Sequence, residues 1–266
     1  MRLVSAFREA GRVRGVFCDI DNTLTTDGRL TAEAYAALER LRAAGKLVVP
    51  ITGRPAGWCD HIARMWPVDA VVGENGAFYF SYDAGARKLI RRFLEDEATR
   101  AANRARLEAV RDRILREVPG SALASDQPYR ETDLAVDFCE DVPRLPAAAV
   151  ERIVSIMEAS GMTAKLSSIH VNGWFGHYDK LGMTCTLMQE RFGVDLGSAR
   201  ADYVFIGDSP NDAPMFAFFP HSVGVANVRD FLERMPARPT FVTTARCGAG
   251  FAELAEMIIR EGASNP

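Results

Sequence analysis

The chain has 266 residues, 48% of them hydrophobic and 25% charged, which excludes a disordered or fibrous class and allows one large or two smaller packed domains. A formal net charge of -3 gives no global attraction to nucleic acid or to an anionic membrane, so an anionic substrate must be met by local charges. Cys18, Cys59, Cys139, Cys185 and Cys247 form no CxxC pair, which argues against a disulfide framework or a zinc site, and no apolar run reaches membrane-span length; the expected location is the cytoplasm.

In chain order, Val16-Phe17-Cys18 reads as a short buried strand that runs into Asp19-Ile20-Asp21-Asn22-Thr23. Thr31 is placed to cap a helix through Ala44, with Ala34, Leu38 and Leu41 on one face and Gly45 as its stop. Leu47 to Ile51 follows as a strand with a polar exit at Thr52-Gly53-Arg54, and Pro55 suits the start of a helix carrying Ile62 and Met65. Ala70-Val71-Val72 is a third strand, and the alternation predicts a doubly wound α/β core with a parallel, Rossmann-like sheet.

The pattern changes at Phe78. Phe78-Tyr79-Phe80 and Leu89-Ile90 flank an Asp83-Ala84-Gly85 turn, as in an antiparallel hairpin. A helix with Leu107, Val110, Ile114 and Val118 follows, then strands near Leu123 and over 134–139, a helix over 147–159, and strands at 163–168 and 170–172. This αββαββ run is expected to be an inserted α+β domain over 83–176, hinged at 83–86, Gly173 and Gly176, between core segments 1–82 and 177–266. The core then resumes with a helix carrying Met183, Leu187 and Met188 and the strand Tyr203 to Ile206, which exits at Asp208-Ser209-Pro210-Asn211-Asp212. Strands 223–225 and 241–243, a helix near Leu232 and a last helix over 251–259 complete it.

Parallel topology would bring Asp19, Asp21, Thr52, Asp208 and Asp212 to one sheet edge. Ionised carboxylates about 4 Å apart repel by roughly 4 kcal/mol per pair at an effective dielectric near 20, so the cluster calls for a cation. Oxygen ligands without Cys or His favour Mg²⁺ accompanied by substrate phosphate. Asp19 is then expected to be both ligand and nucleophile. Asp21, pointing the same way two residues on, is placed to protonate the leaving oxygen and then activate water, while Thr52 and a lysine hold the phosphoryl oxygens.

These motifs, DIDNT at Asp19, ITGRP at Thr52, GENGA at Gly73, a lysine at Lys180 and GDSPND at Asp208, span essentially the whole chain. In this order the chain resembles the haloacid dehalogenase-like phosphatases, specifically the type IIB capped group that includes Cof-type and sucrose-phosphatase-like enzymes. The resemblance implies that Asp19 is nucleophile and metal ligand, and that Asp21 is general acid/base and a metal ligand through its carbonyl. It implies that Thr52 and Lys180 bind phosphate, that Asp208 ligates the metal with Asp212 holding its waters, and that Asn211 orients the lysine or the phosphate. The chain reads Asp179-Lys180-Leu181-Gly182 where the group usually has Lys-Gly, which makes Lys165 the alternative lysine.

Gly53, Arg54 and Asn75 join the expected substrate-binding set, Arg54 either touching substrate or capping a carbonyl. His170, Asn172 and Trp174 alternate along one strand and are expected to share a face toward the site, with Arg130 nearby for a second anionic group. The expected function is Mg²⁺-dependent hydrolysis of a small phosphate ester, a sugar or polyol phosphate, by a monomer or homodimer that binds neither nucleic acid nor membrane. The alternative is a phosphotransferase or phosphomutase of phosphomannomutase type on the same fold.

Overall fold

Val16 and Cys18 face one apolar layer and Phe17 the other, so the Gly15–Cys18 strand is buried on both sides and has no place for a polar residue. In the computed structural model, which describes residues 1–167 and 169–263, this strand lies inside a six-stranded parallel sheet. Leu47–Pro50 pairs on one side of it and Tyr203–Gly207 on the other. Beyond Tyr203–Gly207 come Ser222–Gly224, Phe241–Val242 and Arg2–Leu3. The next strand in sequence thus lies to one side and the late strands to the other. At such a reversal the exits of neighbouring strands diverge and leave a crevice for a ligand.

The helices cover both faces. Thr31 caps Ala32–Ala43 by accepting the Ala34 N–H at 3.3 Å, and Ala34, Ala37, Leu38 and Leu41 are buried. The last helix, Cys247–Ala263, starts four residues before its expected Phe251 start. Near Leu232 the chain forms a run of 3₁₀ turns, Ala226–Arg234, in place of the expected α-helix. Met65, expected to carry a helix face, is 65% exposed, while Ile62 is buried.

The turn at 83–86 is the hairpin tip the pattern predicts, and it joins two strands of one sheet rather than two domains. Phe78–Asp83 pairs with Lys88–Phe93 and with Val71–Gly73, and an Ile51–Val72 bridge joins this antiparallel sheet to the parallel one. Phe78 and Phe80 enter one core layer and Tyr79 the other. The hairpin therefore belongs to the core. Its loss of strand–helix alternation marks an antiparallel edge added to a parallel sheet, a common arrangement, rather than a boundary.

A separate apolar cluster begins with Leu107 and ends with Phe175. There the helices Glu97–Glu117 and Ala147–Ala159 pack on a four-stranded antiparallel sheet ordered Thr163–Leu166, His170–Trp174, Asp133–Asp137, Ala122–Leu123. The expected 163–168 strand ends at Leu166, and Ser168 lies outside the described residues. The open face of this sheet carries His170 and Asn172 toward the core, which makes the unit a cap.

Glu74 ties the two units together. Its buried carboxylate accepts the Ala56 N–H of the core at 2.9 Å and the Glu131 and Thr132 N–H groups of the cap at 2.9 and 2.7 Å. Glu74→Ala strands these donors, and a buried donor left without an acceptor costs about 1–3 kcal/mol. The expected result in urea unfolding is a loss of about 3 kcal/mol; a change under about 1 kcal/mol would show that the carboxylate is no brace.

Candidate active site

Asp19 and Asp208 leave adjacent strands. The Asp19 N–H continues the ladder to the Ile206 carbonyl at 2.9 Å, and Asp208 follows Gly207 directly. After Asp208 the chain folds into the turn Pro210–Asp212, where the Asp212 carboxylate accepts the Asp208 N–H at 3.1 Å and the Ser209 N–H at 3.4 Å. A Cβ on Gly207 would overlap that carboxylate, so only glycine fits there.

Lys180 comes from the other side. Asp179 caps the helix Lys180–Phe192 through the Gly182 N–H at 2.7 Å, which sets Lys180 in its first turn. Gly76, at φ 109°, packs so closely on the Asp179 carbonyl that a side chain would displace the helix start. Lys180 Nζ reaches Asp19 Oδ1 at 2.7 Å and Asp212 Oδ1 at 2.8 Å. The structure thus puts Lys180 in the cluster, while Lys165 lines a neighbouring cavity.

Asp19, Asp208 and Asp212 are buried, and each offers an oxygen within 4.8 Å of the others. Burial pushes the Asp19 carboxyl up to about 7 against the pull of Lys180, with Asp212 and Asp21 adding to the rise. Asp208 is raised well above the carboxylate range by burial and then by the charges of Asp19 and Asp212. Burial works against the Lys180 ammonium, but Asp19 and Asp212 outweigh it and hold its pKa above the ordinary value. One ammonium therefore serves a cluster of three carboxylates and contacts only Asp19 and Asp212 of them, while Asp208 is left to neutral donors, the Asn227 Nδ2 at 3.3 Å and the Ser209 side chain. A hard divalent cation fits this all-oxygen set, and it would relieve the penalty that falls on Asp208.

The pocket above the cluster is lined by Asp19, Asp21, Gly53, Arg54, Asn75, Arg130, His170, Asn172, Asp208 and Asn211, which the sequence singles out, and by Ser167, Ile169 and Ser209, which it does not. Thr52 is fully buried just behind, its Oγ1 accepting the Arg54 N–H at 3.0 Å. Asn75, at φ 56°, keeps a buried Nδ2 with no acceptor among the described residues. The pocket has a volume of about 30 Å³; a second cavity of about 510 Å³ meets it at Asn75 and Asn211.

Arg54 lines the pocket and is already partnered: it grips the Asp21 carboxylate at 2.8–3.0 Å, stacks on Trp58, and reaches Asp126 and Glu140 of the cap at 3.3 Å. Two expectations are corrected. Arg130 is not available to a second anion as it stands, because Asp126, Asp133 and the Gly53 carbonyl consume its donors and its side chain is 1% exposed. Trp174 shares the strand face but sits two residues beyond the pocket, stacked on Tyr178 at 5.3 Å and lining the second cavity.

Sequence reasoning missed Asn227, Glu140 and Asp126. Asn227 had a signal: it follows the exit of Ser222–Gly224, the strand next to the one that delivers Asp208. Glu140 and Asp126 had none, being acidic loop residues among many.

The family model for haloacid dehalogenase-like hydrolases matches residues 16–105. A phosphoglycolate phosphatase of Halorubrum lacusprofundi is 31% identical over 214 residues, covering 79% of this chain and 82% of that protein. One from Pyrobaculum neutrophilum is 29% identical over 252 residues, covering 93% and 96%. Among solved structures, a Thermoplasma acidophilum protein aligns with a TM-score of 0.70 at 17% identity, covering 92% of this chain and 98% of that one. The sucrose-phosphatase of Synechocystis, solved with sucrose and phosphate, aligns at 0.63 and 14% identity, with 92% and 98% covered; both likenesses bear on the fold alone. Among the described residues no helix is long and apolar enough to cross a membrane.

Proposed function

Because the chain belongs to the haloacid dehalogenase-like hydrolases and is a phosphatase, we propose that it hydrolyses a small phosphate monoester with Mg²⁺ as cofactor and Asp19 as nucleophile. The observation that carries this is the buried group of Asp19, Asp208, Asp212 and Lys180 at the sheet's switch point, beneath a roofed pocket. Asp19, Asp208 and the Asp21 carbonyl would hold the cation, with Asp212 holding its waters. When bound, it neutralises charge on the phosphoryl oxygens and lets the carboxylates stand together.

An Asp19 oxygen attacks phosphorus while the ester P–O bond breaks, and Asp21 gives its proton to the leaving oxygen. Arg54, at 2.8–3.0 Å from both Asp21 oxygens, sets where that carboxyl sits, and one oxygen has to leave the guanidinium to carry the proton. Water then attacks phosphorus, its proton passes to Asp21, and the Asp19 carboxylate is released. Thr52 Oγ1, the Gly53 N–H, Asn211 and Lys180 hold the oxygens where charge accumulates. Asn75 Nδ2, buried and without an acceptor among the described residues, supplies one more donor.

The roof limits the leaving group. Asn172 Nδ2 is engaged with Asp133 at 3.1 Å, and His170 Nε2 faces the Glu140 carboxylate at 2.8 Å without an aligned hydrogen bond, so neither group expected to receive a sugar opens freely onto the pocket. The small pocket and the named activity of the two relatives favour 2-phosphoglycolate or an ester of similar size. The test is phosphate release from 2-phosphoglycolate, glycerol phosphate, hexose phosphates and p-nitrophenyl phosphate. Free phosphate, with kcat/KM highest for the two- and three-carbon esters, is the expected result. Phosphate appearing on an added sugar instead of in water would favour a phosphotransferase.

A further inference from the structure

Arg54 is a single guanidinium facing three carboxylates, and the three differ in what holds them. Asp21 takes the bidentate grip, and Asp126 is shared with the fully engaged Arg130. Glu140 is different. It comes from the cap loop after Asp133–Asp137 and keeps 30% of its side chain exposed. It meets Arg54 Nη2 at 3.3 Å and His170 Nε2 at 2.8 Å where both line the pocket roof.

Its backbone is pinned while its side chain is not. Asp137 accepts the N–H groups of Cys139, Glu140 and Asp141 at 2.7–2.8 Å, which fixes the loop under the carboxylate. Beyond Cβ its partners among the described residues are Arg54 and His170, and the exposed part of the side chain already meets solvent. The contact with His170 and then the Arg54 charge hold its carboxyl at about 2 against burial, so it occupies this place as an anion. A guanidinium and an imidazole converging on one carboxylate is the chemistry of a carboxylate-binding site.

Building on the phosphatase reading above, we propose that Arg54 and His170 form a carboxylate subsite over the catalytic pocket, that Glu140 fills it when no substrate is bound, and that the substrate is a phosphate ester whose leaving group carries its own carboxylate. The substrate carboxylate displaces Glu140 from Arg54 Nη2 while Arg54 Nε stays on Asp21, so binding leaves the Asp21 side chain in place. A neutral polyol lacks the charge to displace Glu140 and gains nothing there. The arrangement discriminates by competition: the wrong leaving group meets a site already satisfied.

Glu140→Gln keeps the shape and removes the charge. The measurement is kcat/KM for 2-phosphoglycolate divided by kcat/KM for p-nitrophenyl phosphate, together with the inhibition constant of glycolate against the aryl ester. Removing a like charge from the subsite is expected to raise the ratio about tenfold and tighten glycolate by a similar factor. A ratio that stays level or falls, with glycolate no tighter, would overturn the proposal and make Glu140 a brace for Arg54. His170→Ala is the second variant and is expected to lower the same ratio by raising KM for 2-phosphoglycolate; an unchanged ratio would also overturn it. Hydrolysis of the aryl ester in these assays keeps the two claims apart, since its absence in wild-type protein would count against the phosphatase reading itself.

Discussion

Asp19→Asn is expected to lower kcat by at least about three orders of magnitude while the protein stays folded, because an amide cannot attack phosphorus and Asp21, the other carboxylate at that strand exit, is held by Arg54. The fold is expected to survive because the change is isosteric and Lys180 keeps Asp212 at 2.8 Å. Asp208 also loses a like-charged neighbour, which offsets part of the lost Lys180–Asp19 contact. The check is steady-state hydrolysis of p-nitrophenyl phosphate beside a thermal melt. Activity within tenfold of wild type, in a protein that melts normally, would move the nucleophile elsewhere.

Removal of the cation should have an effect of similar size. With Asp19, Asp208 and Asp212 within 4.8 Å and a single ammonium among them, an incoming phosphate dianion meets net negative charge. Excess EDTA is therefore expected to abolish turnover, and Mg²⁺ to restore it. The same ion should stabilise the fold, since ligand at about 100 times its Kd adds about 2.7 kcal/mol when it binds only the native state. Full activity in EDTA, or a melting temperature indifferent to Mg²⁺, would contradict a cation site here.

The core was legible because its signals are local. An apolar run ending in Asp19 or Asp208 reads as a buried strand with a polar exit, and a parallel sheet gathers such exits at one edge. Lys180 was legible through its motif, but its approach depends on Gly76 against the Asp179 carbonyl, a contact between segments about a hundred residues apart. The hairpin over 78–93 misled because period-2 patterning reveals strands without revealing which sheet they join. The Ile51–Val72 bridge and the packing of Phe78, Tyr79 and Phe80 into the two apolar layers place it in the core. The roof was least legible. His170 and Asn172 were found by alternation, but their partners Glu140 and Asp133 are acidic residues whose roles arise when cap and core meet. Likewise, Arg54 at a strand exit could be aimed at a substrate or at a neighbour, and nothing in its own segment reveals the carboxylates of Asp21, Asp126 and Glu140.

The central claim is that phosphorus is passed to Asp19 before it reaches water. Acid-quenching a single turnover of a ³²P-labelled ester and mapping the labelled peptide tests this directly. The account predicts transient label on the peptide that contains Asp19, formed no slower than product and absent in Asp19→Asn; turnover with no labelled protein, or label on any other residue, would contradict it.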